Sequence, residues 1–577
     1  MHLVRRPVPA KIEWQLQQQG LPPLLARLYA ARGVTDVAEL GDDLSALLPP
    51  QTLMGAPEAA ALLADALEAD ACIVIVADFD CDGATACALG LRALAAFIQA
   101  TESRASVHYL VPDRFTLGYG LSPQIVELAA QRFQPDLIVT VDNGIASLEG
   151  VARARELGIS TLITDHHLPA LKDGAPCLPE ADGIVNPNQP GCNFPSKHLA
   201  GVGVLFYVML ALRAELRARG SFGQRPEPNC SQFLDLVALG TVADVVKLDR
   251  NNRILVGQGL KRMRAGRLSP GLAALLTLSA RDPERLSTFE LGFILGPRIN
   301  AAGRLDDMSV GIECLTGDSM ERVLNLAQRL DGLNRERKTI EAQMQAQAQA
   351  LLERLDLDYA PPGIALFDPE WHQGVVGLLA SRIKDKTHRP VFAFARGEHG
   401  ELKGSGRAIP GLHLRDALDL LSKRAPGLLQ RFGGHAAAAG VTIQEAEFPR
   451  FSALFSEIAG ELIPADALTR RIETDGPLEP GYINLATARL LESQIWGQGF
   501  PPPLFEDEFT VERFQVFKEK LLRLNLKKDA HPIDAVQFNF QQEPGARVRI
   551  AYRLGINDYR GIQSPQLIVE HMETLSN

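Results

Sequence analysis

Between about residue 71 and residue 245, short apolar runs alternate with segments of helical character, and this alternation leaves few possible folds. The run ACIVIVAD is apolar almost throughout, as expected for a strand that is buried on both faces of a sheet. An Ala- and Leu-rich helix follows over residues 84–100, and further strands are predicted at VHYLV, DLIVTV and STLIT. Strands that alternate with helices of about ten to fifteen residues predict an α/β fold with a parallel, doubly wound sheet.

The rest of the chain divides into regions of different pattern. Residues 1–70 are predicted to be helical, and residues 71–318 form the domain that contains the sheet. Residues 319–358 are rich in Ala, Gln, Glu and Leu and predict one long helix. Its length favours a connector between two domains, and a core or surface helix is the alternative. Residues 359–465 form a second α/β domain. Residues 466–577 carry short alternating strands with turns, which is typical of a small antiparallel β-barrel.

The composition is that of an ordinary soluble protein, with 46% hydrophobic and 22% charged residues. The formal net charge of −10 argues against a non-specific nucleic-acid coat, but a nucleic-acid enzyme stays possible because binding follows the local field of a groove. Seven cysteines without a C-x-x-C pair argue against a disulfide framework and a zinc ribbon. No signal peptide and no run of about 18 apolar residues is recognised, so we predict a cytoplasmic protein with no membrane partner.

Acidic and imidazole side chains follow three of the predicted strands at the point where each strand ends. These residues are, in order, Asp78, Asp80 and Asp82, then Asp142, then Asp165, His166 and His167. Because the carboxyl ends of parallel strands meet at one edge of a sheet, we expect these side chains to lie close together. A single Asp after a strand is commonly the N-cap of the next helix, but this explanation does not account for three strand ends at once.

Several carboxylates at one edge of a sheet repel each other unless a cation lies among them. Carboxylate oxygens together with imidazole nitrogens suit Mg²⁺ or Mn²⁺. Since several carboxylates are available to bridge, we expect two ions about 3.5–4 Å apart, an arrangement that activates water for displacement at phosphorus. The sequence therefore predicts a metal-dependent phosphodiesterase.

Four motifs occur in chain order and carry a resemblance to a known family: V-x-D-F-D-x-D-G, V-D-N-G, T-D-H-H and G-T-V-A-D-V-V. Together they resemble the DHH phosphoesterase superfamily, and within it the bacterial single-strand-specific exonucleases, from about residue 20 to the C-terminus. The run GGHAAAAG resembles the signature of the associated DHHA1 substrate-binding domain. The C-terminal barrel resembles an OB-fold, a fold that binds single strands on aromatic and basic residues.

The resemblance implies a ligand set for two metal ions. Asp80 would bind the first ion and Asp82 the second, with Asp142 bridging them. His166 and Asp244 would complete the second site. Asp244 is predicted to lie in a helix, LDLVALGTVADVV.

The first metal site departs from the family pattern at one position. Many relatives carry a metal-binding His four residues before the first Asp of D-x-D, and this chain has Val76 there. Either Asp78 substitutes for the missing ligand, or the first ion binds weakly and enters with the substrate. The resemblance also implies that His167 contacts phosphate or orients the ligands and that Asp165 fixes an imidazole tautomer.

Further positions are predicted to hold nucleic acid. Gly433 and Gly434 would let the protein backbone approach the nucleic acid closely, and His435 would contact the scissile phosphate. The alternative is that these residues form a tight turn from a β-strand into an Ala-rich helix. The other candidates are Arg298, Asn300 and Arg304 for phosphate contacts, Arg114, Ser405 and Arg407 for the 5′ end, and Phe514, Phe517, Lys518, Lys520, Arg523, Lys527 and Lys528 on the barrel. Salt bridges, turns and a solvated basic strand face are the alternatives for these residues.

The resemblance implies a single-stranded-DNA exonuclease that degrades from the 5′ end to mononucleotides and acts in recombination and repair, including mismatch repair. Single-strand-binding protein is the implied partner, and a monomer is expected. One alternative is a DHH phosphatase or nano-oligonucleotide hydrolase, but such chains are much shorter and lack the barrel. Another is a non-catalytic scaffold of the same superfamily, which has lost the metal ligands that this chain retains.

Overall fold

A computed structural model describes residues 2–113, 119–172, 175–353, 361–517, 521–529, 531–538, 540 and 542–575. It comprises two compact units. The smaller unit consists of Met1–Val4 and Gly332–Glu473, and the larger unit of Arg5–Asp331 and Thr474–Asn577.

The strands alternate with helices for most of the chain and then follow one another at its end. The strands are β1 (His2–Arg5), β2 (Cys72–Ala77), β3 (Ser106–Leu110), β4 (Leu137–Val141), β5 (Ser160–Thr164), β6 (Ala170–Lys172), β7 (Ala175–Cys177), β8 (Gly183–Val185), β9 (Ile364–Phe367), β10 (Val391–Arg396), β11 (Glu401–Arg407), β12 (Arg431–Gly434), β13 (Ala438–Gln444), β14 (Arg471–Thr474), β15 (Phe505–Phe517), β16 (Leu521–Lys528), β17 (His531–Phe538), β18 (Arg547–Tyr559) and β19 (Ile562–Thr574).

The α-helices are α1 (Ala10–Gln18), α2 (Pro23–Ala30), α3 (Ala56–Glu68), α4 (Cys81–Thr101), α5 (Pro123–Phe133), α6 (Leu148–Glu156), α7 (Gly201–Ala218), α8 (Leu234–Ala243), α9 (Arg250–Arg264), α10 (Pro270–Leu278), α11 (Gly296–Leu305), α12 (Ser309–Thr316), α13 (Met320–Glu353), α14 (Val376–Thr387), α15 (Leu414–Arg424), α16 (Phe448–Leu462) and α17 (Leu485–Ser493). A π-helical segment, Glu290–Leu295, precedes α11 directly.

The larger unit contains the predicted parallel sheet, with five strands in the order β3-β2-β4-β5-β8. Every neighbouring pair in it is parallel. Val74 and Val76 on one face of β2 pack with Ile125 and Val126 of α5. On the other face Ile75 lies against α4 and α7, since a side-chain carbon added at Gly90 of α4 would lie 2.8 Å from Ile75 and 3.2 Å from Leu205. Helices therefore cover both faces, as in a doubly wound fold.

Helix α4, which follows β2, is long and apolar. Among the described residues it is the one helix long and apolar enough to span a membrane by length and composition, and 72% of that apolar window is buried inside the protein. Such burial is typical of a core helix. All seven cysteines carry free thiols.

The N-terminal region is helical as predicted, through α1, α2 and α3, but it begins with a strand that the sequence did not reveal. Strand β1 pairs with β14 in a two-stranded sheet. The backbone N–H of His2 donates to the carbonyl of Arg470 at 3.0 Å. A short strand whose partner lies more than 460 residues away has no local signal of its own.

The predicted long helix is α13, which spans Met320–Glu353. It begins one residue after the predicted start at 319, and residues 354–360 lie outside the described part. The division between the two units falls within it, after Asp331.

The smaller unit is built on a mixed sheet in the order β12-β13-β11-β10-β9. Strands β9 and β10 are parallel, and the other pairs are antiparallel. Its core includes Phe392 and Phe394 of β10, with Phe451 and Phe455 of α16.

The C-terminal residues of the larger unit form a closed barrel, β15-β16-β17-β19-β18. Its pairs are antiparallel except for β17 and β19, which are parallel. This strand order and closure are those of an OB-fold, so the predicted barrel is confirmed, with one parallel pair where antiparallel strands were expected.

Candidate metal centre

The two acidic loops of the sheet follow β2 and β4, which are neighbours at the centre of the strand order. The order reverses between them, and ligands of doubly wound sheets bind at such a reversal. The loops are tied together directly, since the N–H of Asp78 donates to the carbonyl of Val141 at 3.3 Å. Asp142 is joined in turn to the next strand, β5, because its N–H donates to Thr164 at 3.0 Å.

Asp80 and Asp82 lie at the start of α4. Asp80 is the N-cap, and its Oδ1 accepts a 3.0 Å hydrogen bond from the N–H of Gly83. Asp82 is fully buried in the first turn, and its two oxygens accept hydrogen bonds from the N–H groups of Gly201 and Val202, at 2.6 and 2.9 Å. These donors form the N-terminus of α7, where the helix dipole favours a negative charge.

Gly201 has a role at this site that the sequence prediction missed. A side-chain carbon added at this position would lie 2.5 Å from Cβ of Asp142, closer than any real contact allows. Glycine therefore permits α7 to bring its first N–H groups against Asp82 beside Asp142. The sequence signal is the A-G-V-G run at the start of an apolar helix, which only the fold connects with the acidic motifs.

Asp142 has an unusual backbone conformation. Its φ angle is +64°, in the left-handed region where Asn and Asp are the most frequent residues after glycine. The following Asn143 fixes the turn, because its Nδ2 donates to the carbonyls of Val76 and Val141 at 3.1 and 2.9 Å. The turn directs the carboxylate of Asp142 toward His166, with 3.1 Å between Oδ1 and Nε2.

His166 lies among three carboxylates. Its Nε2 is 3.1 Å from Asp142, 3.5 Å from Asp244 and 4.0 Å from Asp82. Asn188 fixes its backbone by donating from Nδ2 to the His166 carbonyl at 2.6 Å. The imidazole thus contacts residues from three separate parts of the sequence.

His167 is held by Asp165 instead. Its Nδ1 is 2.8 Å from Oδ1 of Asp165, whose other oxygen accepts from the N–H of Ile145 at 2.9 Å. Burial lowers the pKa of His167, but the hydrogen bond and charge of Asp165, with the charges of Asp244 and Asp78, outweigh it and raise the pKa to about 9. Asp165 is therefore placed to orient the ring of its neighbour.

Tyr119 also contacts this group and was not singled out from the sequence, although it belongs to the GYGLSP run. Its hydroxyl donates to the carbonyl of Asp142 at 3.0 Å and lies 3.2 Å from Nδ1 of His167. Its ring packs edge-on against Phe79, with 6.1 Å between centroids. Tyr119 thus links all three acidic loops.

Asp244 is the residue that ends α8, not a residue within a helix as predicted. The next residue, Val245, has a φ angle of +63°, which is rare for a β-branched side chain. Such strain persists where the surrounding structure imposes it and is frequent at functional sites. The sharp exit from the helix places the carboxylate of Asp244 beside His166.

The carboxylates destabilise one another when they are ionised. Burial raises the pKa of Asp82 to about 7, aided by the charge of Asp80 and opposed by the two N–H groups of α7. Burial and the neighbouring aspartates raise the pKa values of Asp142 and Asp244 well above the usual range. A divalent cation among these groups would offset this repulsion.

The residues present fit such a cation. In the described part of the chain, three groups have ligand atoms that all lie within 4.8 Å of one another. They are Asp82, His166 and Asp244; Asp142, His166 and His167; and Asp78, Asp80 and Asp142. The groups overlap at Asp142 and His166, and their oxygen and nitrogen donors suit Mn²⁺ or Mg²⁺. All the predicted ligands are brought together.

Val76 is fully buried in β2 and offers no side-chain ligand. Asp78, two residues later, belongs to the group with Asp80 and Asp142. It is buried, with 7% of its surface exposed.

The predicted phosphate contacts on α11 have other partners. The Nε of Arg298 donates to Asp331 at 3.0 Å, and its Nη1 donates to the carbonyl of Ile294 at 2.6 Å. The Oδ1 of Asn300 accepts from the N–H of Cys81 at 2.7 Å and so holds the acidic loop after β2. Arg304 is half-buried in the last turn of α11.

In the smaller unit, Ser405 and Arg407 lie on β11 with their side chains together. The Nη1 of Arg407 donates to Oγ of Ser405 at 3.1 Å and to the carbonyl of Gly406 at 2.8 Å. Burial lowers the pKa of Arg407, and among the described residues no carboxylate forms an ion pair with it. A side-chain carbon at Gly377 in α14 would lie 3.0 Å from both side chains, so a helix N-terminus adjoins them. Arg114 lies outside the described residues.

The run GGHAAAAG forms a hairpin between two strands and not the strand-to-helix turn considered above. Gly433 and Gly434 end β12, and β13 begins at Ala438. The N–H of His435 donates to the carbonyl of Ala438 at 2.8 Å. Gly434 has a φ angle of +139°, and a side-chain carbon there would lie 2.4 Å from that carbonyl, so this position requires glycine.

On the barrel, Phe514 is 38% exposed, and Arg523 lies over the ring of Phe517 at 4.7 Å. Lys527 forms an exposed ion pair with Glu512, whereas the ion pair of Lys528 with Asp507 is largely buried. Lys518 and Lys520 lie outside the described residues.

Comparison with known families agrees with this architecture. The DHH family, N-terminal domain, matches residues 72–241, and the DHHA1 domain matches residues 360–461. The RecJ OB domain matches residues 474–571.

Individual relatives cover nearly the whole chain. The single-stranded-DNA-specific exonuclease RecJ of Escherichia coli is 48% identical over 564 residues, which is 96% of each chain. The protein of that name from Bacillus subtilis is 32% identical over 98% of this chain and 70% of its own length. The crystal structure of RecJ from Thermus thermophilus in complex with Mn²⁺ superposes with a TM-score of 0.80 at 30% identity, covering 100% of this chain and 80% of that one. The chain described above therefore belongs to the RecJ family of DHH proteins.

Proposed function

We propose that this protein hydrolyses single-stranded DNA from the 5′ end to mononucleotides, with two divalent metal ions, and acts in DNA recombination and repair. The observation that carries this proposal is the convergence of three overlapping ligand groups at the reversal of the parallel sheet. The relatives named single-stranded-DNA-specific exonucleases support the choice of substrate. Direction and product rest on the family resemblance.

Each protein group has an assigned role in this reaction. When bound, Mn²⁺ or Mg²⁺ would supply Lewis-acid chemistry that activates water and offsets charge on the phosphate. Asp82, His166 and Asp244 would hold one ion, and Asp142 would bridge to the other. The N–H groups of α7 keep the carboxylate of Asp82 in place, and α8 presents Asp244 at its end. This rigidity reduces the reorganisation needed at the transition state.

The ion at Asp80, called the first ion above, would be held by Asp80 and Asp142, with Asp78 in place of the ligand that Val76 does not provide. We assign weaker binding to this site, because Val76 contributes no side-chain ligand to it. His167, oriented by Asp165, would face the phosphate beside the ions.

The strand would be held by groups outside the metal centre. Arg407 and Ser405 fit a 5′ phosphate, because the half-buried guanidinium of Arg407 has no carboxylate partner among the described residues and favours an anion. Arg114 is assigned to the same pocket by resemblance. His435, with Gly433 and Gly434 in the tight hairpin, is assigned to phosphate contact. Arg298, Asn300 and Arg304 are assigned to the backbone, and Phe514 and Lys518 to the strand on the barrel.

We further infer a monomer in the cytoplasm with single-strand-binding protein as a partner, and the five-part domain division at residues 71, 319, 359 and 466. Free cysteines agree with a reducing compartment. The alternative of a short-substrate DHH hydrolase does not account for the C-terminal barrel, which matches the RecJ OB domain over residues 474–571.

A long single strand labelled at one end or the other tests the proposal. With Mn²⁺ we expect the 5′ label to appear first as a mononucleotide, and we expect no release with a chelator or with a blunt duplex. Release of the 3′ label first would contradict the direction. Activity in chelator would contradict the metal mechanism, and cleavage restricted to dinucleotides would favour the alternative.

A further inference from the structure

Two phenylalanines before α11 are exposed and stacked on each other. Phe289 is 49% exposed and Phe293 is 70% exposed. Their rings are 5.1 Å apart at an angle of 28°. Single exposed apolar residues are common, but an aromatic pair that offers its ring surface to water is typical of a binding surface.

The helix that carries this pair packs against the end of α8. Phe289 directly precedes the π-helical segment Glu290–Leu295, and Phe293 lies within it. Such segments are frequent at functional sites. Side-chain carbons added at Gly292 and Gly296 would lie 3.3 Å from Val242 and 3.1 Å from Ala243. Those two residues directly precede Asp244. The phenylalanines therefore lie on a helix that touches the last turn before a predicted metal ligand.

The same helix continues into α11 and reaches the acidic loop after β2. Asn300 accepts a hydrogen bond from Cys81, and a side-chain carbon at Gly303 would lie 1.8 Å from the carbonyl of Phe79. Phe293 precedes Asn300 by seven residues, which is about 10 Å along a helix. A stacked strand rises about 3.4 Å per nucleotide, so this distance corresponds to about three nucleotides.

The pair is also anchored at its start. The hydroxyl of Thr288 donates to the carbonyl of Trp496 at 2.7 Å, and the hydroxyl of Ser287 donates to Glu290 at 2.7 Å. Arg285, four residues before Phe289, has 49% of its side chain exposed and forms a 3.8 Å ion pair with Asp558. An aromatic surface next to an exposed guanidinium matches the alternation of bases and phosphates in a single strand.

We propose that Phe289 and Phe293 form a base-stacking platform that positions the single strand about three nucleotides from the scissile phosphate. Every base has a π face, so this contact would serve strands of any sequence. The occupant is a nucleobase of the substrate, and the inference rests on the proposed nuclease function. The platform would act on strand position, while the metal centre carries out the chemistry.

Substrates with a single abasic site provide the test. A set of oligonucleotides would carry the abasic site at each of the first eight positions, and single-turnover cleavage would be measured as a function of enzyme concentration. For the unmodified protein, we expect apparent affinity to fall about 5- to 100-fold for abasic sites near the third nucleotide. In the double variant Phe289→Ala/Phe293→Ala, affinity for the intact strand should fall by a similar factor, and this position dependence should disappear.

Three further variants separate stacking from general effects. Phe293→Tyr should retain the position dependence, and Phe293→Leu should lose it, because leucine keeps the apolar surface without the ring. Trp14→Ala removes another exposed aromatic residue, 60% exposed on α1, and should leave affinity unchanged. Thermal unfolding of each variant would check its folding.

The outcomes distinguish this inference from the proposed function. If the unmodified protein does not degrade single strands, the proposed function itself is wrong. If it degrades them but the double variant keeps normal affinity and position dependence, the platform is wrong, and a protein partner would be the better occupant of the exposed pair.

Discussion

The two α/β units differ in how they bring their functional residues together. In the larger unit, the acidic and imidazole groups come from the ends of β2, β4 and β5 and from the end of α8. In the smaller unit, the candidates lie on one strand, β11, and on the hairpin between β12 and β13. The first arrangement collects buried negative charge, and the second consists of a half-buried guanidinium on one strand and a tight glycine hairpin between two others.

This difference suggests that the larger unit carries out cleavage and the smaller unit binds the strand. A cation site that must also react needs several rigid ligands at fixed distances, so the fold has to supply them from distant segments. A site that only holds a phosphate needs a donor cluster, which neighbouring residues can provide. Substitutions in the larger unit should therefore act on the rate of cleavage, and those in the smaller unit on affinity for the strand.

The largest expected effect comes from Asp142→Asn. Asparagine tolerates the left-handed backbone of this position, so the fold is kept while the bridging charge is lost. Cleavage should slow by about 1,000-fold or more, because several kcal/mol of transition-state stabilisation depend on the bound ions. Strand binding, measured by fluorescence anisotropy, should change little. Asp306→Asn, an exposed carboxylate paired with Arg329, is the control. Near-normal turnover in Asp142→Asn would contradict the bridging role.

The second largest loss of cleavage rate is expected for Gly201→Ala. The added carbon would lie 2.5 Å from Cβ of Asp142, so α7 must move away from the acidic loops. A displacement of about 1 Å among reacting groups costs on the order of 100-fold in rate, and we expect a loss of that size in single-turnover cleavage. Gly332→Ala in α13 has open space around it and serves as the matched helical control. Equal activity of both variants would show that α7 does not position the ligands.

The smaller unit is tested by Arg407→Gln. Loss of a charge-assisted contact to a terminal phosphate should raise the apparent Kd for 5′-phosphorylated strands by about 10- to 100-fold. The preference over 5′-hydroxyl strands should vanish, while the cleavage rate at saturation stays nearly constant. Arg396→Gln, an exposed residue paired with Glu445, should have no such effect. If Arg407→Gln instead lowers the cleavage rate at saturating strand and leaves the apparent Kd unchanged, the assignment of strand binding to the smaller unit is wrong.

The smallest effect concerns stability. Without divalent ions, Asp142→Asn should raise the midpoint of thermal unfolding by about 2–4 °C, because it removes one charge from a crowded acidic group. With Mn²⁺ the unmodified protein should have the higher midpoint of thermal unfolding, since it binds the ion more tightly and is stabilised more by it. Calorimetry of both proteins in chelator and in Mn²⁺ measures this. A lower midpoint for the variant in chelator would show that the carboxylates do not repel.

Much of the larger unit was predictable because its signals are local. The apolar runs that end in Asp predicted β2, β4 and β5 and the edge at which their side chains meet. Gly201 was not predictable in the same way, because glycine is required there by the close approach to Asp142, which belongs to a different part of the sequence. Tyr119 is a similar case, since only the fold places its hydroxyl beside Asp142.

The errors have physical reasons as well. Alanine favours helices, so GGHAAAAG was compatible with a turn into a helix, yet β13 pairs with β11 and β12 on either side. Tertiary pairing overrode the local preference. Asp244 was expected inside a helix because the apolar pattern continues through Val245, whose strained backbone ends the helix instead.

The left-handed turn at Asp142 also bears on how such a protein can change over generations. Aspartate and asparagine codons differ at a single base, and both side chains suit this backbone. One point mutation would therefore yield a chain that folds, still presents its glycine hairpin and barrel, and has lost its bridging carboxylate. Natural selection could then retain it for holding strands or partners, so an inactive descendant lies one mutational step from the enzyme.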